Sequence, residues 1–160
     1  MLYQIEESEK KAFECDNRIT LGNGKHYYVY KNGDPFLSVE INNLLCFSDA
    51  IIFADYLVIG NYYEGIYFVS LNDHKVENIK VAGYFGYFEV NKDVLYILGC
   101  EDVMAFSSKP DLLWKSDTLA VDGIICDRIE DDTMILSCEM DPPGGWITKK
   151  ISLLDGHIID

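Results

Sequence analysis

A short phrase recurs four times along this chain and restricts its fold more than any other feature. Asp55-Tyr56-Leu57-Val58-Ile59-Gly60 resembles Asp93-Val94-Leu95-Tyr96-Ile97-Leu98-Gly99. The same phrase stands upstream as Asn17-Arg18-Ile19-Thr20-Leu21-Gly22 and downstream as Asp132-Thr133-Met134-Ile135-Leu136-Ser137. The first residues of the copies are 38, 38 and 39 positions apart. Each copy is a polar residue followed by a short apolar run too brief for a helix, and strands of this length bounded by Asn, Asp and Gly are the usual reading. After each copy comes a polar turn and a second strand, at Tyr28–Tyr30, Ile66–Leu71, Val103–Ser107 and Trp146–Leu153. The two middle copies add a third strand, at Val76–Val81 and Leu112–Lys115.

A period near 40 residues with three or four strands per unit is the pattern of propeller blades, which bury their faces only by stacking on neighbours. The expected fold is therefore all-β: antiparallel meanders in about four repeats of ~38 residues, propeller-like, as a small closed ring or an open one. A β-sandwich with recurring hairpins is the alternative. One domain spanning residues 1–160 is expected from the length. Leu57, Ile59, Phe68, Leu95, Ile97, Ile135 and Ile151 are the expected core. The opening strand is placed at Leu2–Ile5, and the charged run Glu6 to Glu14 is given at most one or two helical turns. Asn23-Gly24 and Asn32-Gly33 read as hairpin turns.

The net charge is −14, with Arg18 and Arg128 the only arginines. Nucleic-acid binding needs cations to displace counterions from phosphates, so this surface would repel a polyanion. The charge serves solubility, or steers the chain toward a basic partner. No apolar run approaches the ~18 residues of a membrane helix. No secretory signal opens the sequence, so a cytoplasmic location is expected. Cys15, Cys46, Cys100, Cys126 and Cys138 are scattered with no paired spacing, which points to reduced thiols, with Cys46 and Cys126 as core residues. His26, His74 and His157 fall in turn contexts without metal-ligand spacing. No metal or cofactor is expected, and no nucleophile, phosphate-loop or dinucleotide motif indicates an enzyme.

If the four copies are equivalent, the turns that follow them project from one face. That would gather Glu64, Glu101, Asp102, Glu139 and Asp141 into an acidic zone, with Tyr62, Tyr63 and Trp146 interleaved. Aromatic rings among carboxylates are suited to anchoring a protein partner, because they bury much area at little rotamer cost. Polar hairpin tips are equally where charges ordinarily lie. Trp146 opens a strand, and that context favours an inward-pointing core ring over an interface anchor. Asp127 and Glu130-Asp131-Asp132 surround Arg128, either extending the acidic surface or neutralising that arginine.

Trp114, Ala120 to Ile125, then Glu139-Met140-Asp141-Pro142-Pro143-Gly144-Gly145-Trp146 and Leu153-Leu154-Asp155-Gly156 form a layout covering the last third of the chain. It resembles the bacterial immunity proteins encoded beside polymorphic and contact-dependent-inhibition toxins. That resemblance implies a cytoplasmic, non-catalytic protein that occludes a toxin's active site. The implied partner is a cognate toxin with a basic, nuclease-type groove, where an acidic protein can imitate the phosphate backbone and associate fast.

Overall fold

The chain is described by a computed structural model over residues 2–10, 14–140 and 145–159. The described residues are all-β, with no α-helix. Four small sheets follow one another along the chain, and none closes on itself. In the first, β1 (Tyr3–Ser8), β2 (Arg18–Thr20), β3 (Gly24–Lys31) and β4 (Asp34–Asn42) lie in the order β1-β3-β4-β2. The second is the meander β5 (Ser48–Phe53), β6 (Tyr56–Asn61), β7 (Gly65–Ser70) and β8 (Val76–Ile79). The third repeats it with β9 (Phe85–Asn91), β10 (Val94–Gly99), β11 (Val103–Phe106) and β12 (Leu112–Lys115). The fourth has β13 (Ile124–Glu130), β14 (Thr133–Glu139) and β15 (Trp146–Ser152), with Ile158 bridged to Ile151 beyond β15. Four sheets in series replace the two facing sheets of a sandwich. Among the described residues, no helix is long and apolar enough to cross a membrane.

The apolar phrases are continuous rather than alternating because the inner sheets are buried on both faces. Leu57 and Ile59 of β6 face Tyr27, Val29, Leu37, Val39 and Ile41 of the first sheet. Val58, between them in sequence, faces Leu95, Ile97 and Phe106 of the third sheet. Tyr96 and Leu98 of β10 turn the other way, onto Met134, Leu136, Cys138 and Ile151. Three cores thus join neighbouring sheets in chain order. The seven expected core residues are all buried.

The first copy of the repeat is misplaced by the sequence reading. Arg18–Thr20 is a three-residue edge strand, and it pairs with β4 in parallel. The counterpart of β6, β10 and β14 in the first sheet is β4. The turn residue that begins each tight hairpin has a positive φ at Asn32, Ala54, Lys92 and Asp131. These positions are separated by 22, 38 and 39 residues, so the first interval is short. It is short because the first sheet draws its two flanking strands, β1 and β2, from the chain before the hairpin. Asn32-Gly33 is indeed a two-residue hairpin between Lys31 and Asp34. Asn23-Gly24 is not, since β2 and β3 do not pair.

Two further expectations, at Cys46 and His26, are corrected, while the charged run given at most one or two helical turns holds none among its described residues. Glu6, Glu7 and Ser8 extend β1, where Glu6 faces Tyr28 and Ser8 faces His26 across the ladder, so no helix begins there. Residues 11–13 of the expected helical run lie outside the described residues. Among the described residues a 3-10 turn lies at Tyr62–Glu64. Cys46 is exposed in the connection before β5, whereas Cys100 and Cys138 are buried. His26 lies within β3 and is buried, not in a turn.

Candidate functional site

The four hairpins end in the same way. The N–H of Asn43 donates to Asn23 O (3.0 Å), Tyr62 to Phe47 O (2.8 Å), Cys100 to Tyr84 O (3.0 Å) and Glu139 to Gly123 O (3.0 Å). Each bond ties the residue at or just past the end of the second hairpin strand to the residue just before the first. Asn23, Phe47, Tyr84 and Gly123 therefore occupy equivalent places, at one end of successive sheets. At that end the second and third positions carry aromatic rings and the fourth carries no side chain.

The rings meet across the sheet boundaries. Phe47 and Tyr84 stack with centroids 5.1 Å apart and planes 12° from parallel. Tyr62 lies 5.4 Å from Tyr84 and 6.3 Å from Phe47, and Tyr63 meets Tyr62 edge-on at 5.3 Å. Tyr62 reaches this cluster from a left-handed backbone, φ 41, at the start of the 3-10 turn. Beside the stack opens a groove of about 270 Å³, whose walls include Phe47, Tyr84, Asp122, Ile125, Glu139 and Trp146. Gly86, Gly99 and Gly123 also line it.

Gly123 shows how the walls converge. A Cβ at this position would lie 3.8 Å from Trp146 Cη2, 3.9 Å from Glu139 Oε2 and 4.0 Å from the Tyr84 hydroxyl. Its φ of +150 also suits glycine. Tyr84 donates its O–H to the backbone oxygen (2.9 Å) and Oδ1 (3.1 Å) of Asp122. Burial first, and then the Asp122 hydrogen bond and charge, hold the Tyr84 phenol well above its ordinary range, so it stays protonated as a donor. The N–H groups of Val121 (2.7 Å) and Asp122 (3.4 Å) both donate to Glu139 O, which ties the two acidic positions together.

The exposed rings carry the groove to the surface. Trp146 is 46% exposed, Phe47 52% and Tyr63 60%. The inward-pointing reading of Trp146 is thereby corrected: β15 is the outer full strand of its sheet, and the ring pairs across from Glu139 on the side away from the core. The tryptophan in the core is Trp114, which donates its Nε1–H to Leu153 O at 2.9 Å.

Of the expected acidic and aromatic zone, Tyr62, Tyr63, Glu139 and Trp146 come together here. Glu64 points elsewhere. Its carboxylate accepts from Asn42 Nδ2 (2.5 Å) and Asn61 Nδ2 (2.6 Å), bracing the first sheet against the second. Asp102 is only 4% exposed and pairs with Lys115 Nζ at 2.9 Å, so it is a buried structural charge and not a surface carboxylate. Glu101 is half-buried, and its carbonyl accepts from Leu119 (2.7 Å) and Ala120 (3.3 Å). Asp141 lies outside the described residues. The Arg128 guanidinium is paired locally, with Glu130 at 2.6 Å. Among the described residues, no group of three His, Cys, Asp or Glu side chains could hold a metal ion.

Phe47, Tyr84 and Asp122 are the site residues that the sequence reading missed. Their signal is positional. Phe47 and Tyr84 immediately precede β5 and β9, the strands ahead of the two middle copies that the sequence reading did not place.

No family model matches the chain, and no curated protein matches it. Among solved structures, the fold is similar to that of the computationally designed Ika8 protein, with a TM-score of 0.59 and 10% sequence identity. The match covers 82% of this chain and 41% of the designed one, so this chain spans about two fifths of that protein's length. The likeness is one of fold alone.

Proposed function

We propose that this chain is a non-catalytic binding protein that docks a basic protein partner on the aromatic, acid-rimmed end of its sheets. The four sheets are read as an open, propeller-like arc that presents this end as a stiff platform. The observation that carries the reading is the convergence of Phe47, Tyr84, Trp146, Asp122 and Glu139 on one groove, continued by the exposed ring of Tyr63. Aromatic anchors beside carboxylates are what an interface for a cationic protein requires: rings supply desolvated contact area, and charges supply orientation and fast encounter. The net charge of −14 acts in the same direction.

The partner is read as a cognate bacterial toxin, with a nuclease domain as the leading class. Resemblance to immunity proteins over the last third of the chain supports this, and so does the placement of Glu139 and Trp146 from that stretch in the groove. Asp122 and Glu139 act in this reading as fixed charges, with no proton transfer asked of them. Co-expression with the product of the neighbouring reading frame, in cells that this product poisons, tests the proposal. Restored growth of toxin-expressing cells, with a stable complex on gel filtration, is the expected result. Unrelieved toxicity with no complex would remove the toxin from the account.

A further inference from the structure

We infer that the groove over Gly123 is a receptor for a single arginine side chain presented by the protein partner. This inference deepens the proposed binding role and rests on it for the source of that arginine.

The argument begins with size. At about 270 Å³ the groove falls just under the ~300–1,000 Å³ of pockets that enclose drug-sized ligands. One long side chain fits it better than a whole small molecule. The chemistry of the walls then selects the side chain. Gly123 places no side chain among these walls, and the rings of Tyr84 and Trp146 line the groove beside it. Trp146 Cη2, Glu139 Oε2 and the Tyr84 hydroxyl all come within 4.0 Å of one point above Gly123. That point is where a Gly123 Cβ would sit, so a guest laid over Gly123, beyond that space, has the Trp146 ring, a carboxylate oxygen and a phenol oxygen around it.

Among natural side chains, a guanidinium answers all three. It stacks on aromatic faces, is more weakly hydrated than an ammonium, and offers planar paired donors that match a carboxylate. A lysine ammonium would find the charge but lose the stacking and the fork. A neutral polar side chain would lose the charge-assisted bond to Glu139. The acidic balance of the chain favours a cation at this end, and the two groove carboxylates provide charge complementarity at close range.

The test uses the full chain and three tripeptide amides: acetyl-Gly-Arg-Gly, its lysine counterpart and its citrulline counterpart. Nitrogen-15 NMR follows the Gly123 amide and the Trp146 indole N–H, with the Trp114 indole as an internal reference. The arginine peptide is expected to shift Gly123 and Trp146 saturably while Trp114 stays still. The lysine peptide should bind several-fold more weakly, and citrulline roughly tenfold more weakly or worse. Glu139→Gln, with its melting temperature checked, should reduce arginine binding by a similar factor.

Equal binding of arginine and citrulline peptides would overturn the inference, as would arginine shifts confined to the Glu130 to Asp132 turn. A toxin that is neutralised equally well by Glu139→Gln and Trp146→Ala also overturns it, while leaving the immunity reading intact. If the arginine peptide binds as described but no neighbouring toxin is neutralised, only the toxin reading falls.

Discussion

Phe47 and Tyr84 stack face to face although they belong to different sheets, each standing one residue before the first meander strand of its sheet. This contact joins the second and third sheets at the surface, above the core built by Val58, Phe85 and Ile97. Because half of Phe47 is exposed, its ring holds little of the fold together. Phe47→Ala is expected to leave the melting temperature within a few degrees of the parent. Its affinity for the partner should fall by ~2 kcal/mol or more, the loss that marks an interface anchor. Calorimetric titration beside a melting curve separates the two effects.

The two tryptophans should behave oppositely. Trp114 is 9% exposed, packs on Tyr96 at 5.8 Å, and closes on Gly156, where an added Cβ would come within 2.4 Å of the ring. Trp114→Ala is expected to cost about 3–5 kcal/mol, as for a large aromatic lost from a core. In a chain of this size that lowers the melting temperature by roughly 10 °C. Trp146→Ala, at the exposed groove, should cost less than about 1 kcal/mol of stability. Denaturant unfolding of both variants checks the contrast.

Asp102 and Lys115 form a pair buried on the carboxylate side only. Lys115→Met removes the hydrogen-bonding cation and leaves the carboxylate enclosed, which should cost about 1–3 kcal/mol. Asp102→Asn, which discards the charge as well, should cost less. Neither variant should alter partner binding, since neither side chain lines the groove. Chemical denaturation together with a binding titration reads both outcomes.

Thiol chemistry provides a test of burial. Cys46 is exposed and should react with a disulfide reagent within the dead time at pH 8, while Cys100 and Cys138 stay protected. Burial, and then the charges of Glu89 and Asp127, push the Cys126 thiol up to about 11. A thiol raised in the folded state favours folding fully below its ordinary value of 9.0. That contribution is lost as pH climbs through about 11. Cys126 should therefore label slowly at pH 8 and faster toward pH 11, as mass spectrometry of the labelled peptides will show.

Much of the architecture was legible because the inner strands are apolar on both faces. Leu57-Val58-Ile59 and Leu95-Tyr96-Ile97 must each fill two cores, and such runs are visible in any sequence. The first sheet was misread because its flanking strands come from before its hairpin, and Arg18-Ile19-Thr20 imitates the phrase while serving as a parallel edge. A period alone cannot distinguish those cases. The site was half legible for a related reason. Tyr62, Tyr63, Glu139 and Trp146 follow directly from the turns, but Phe47 and Tyr84 precede strands that the sequence reading did not place. Glu64 and Asp102 looked like surface charges because sequence does not show that Asn42, Asn61 and Lys115 reach them.

The central claim is that the aromatic end of the sheets is where the partner docks. Its most direct test is the affinity of a Phe47→Ala/Trp146→Ala double variant for the partner captured by co-expression, measured by surface binding on protein shown to melt like the parent. Loss of at least a hundredfold in affinity is expected, since each interface anchor contributes ~2 kcal/mol or more. Parental affinity in a normally folded double variant would place the partner on another face and contradict the account.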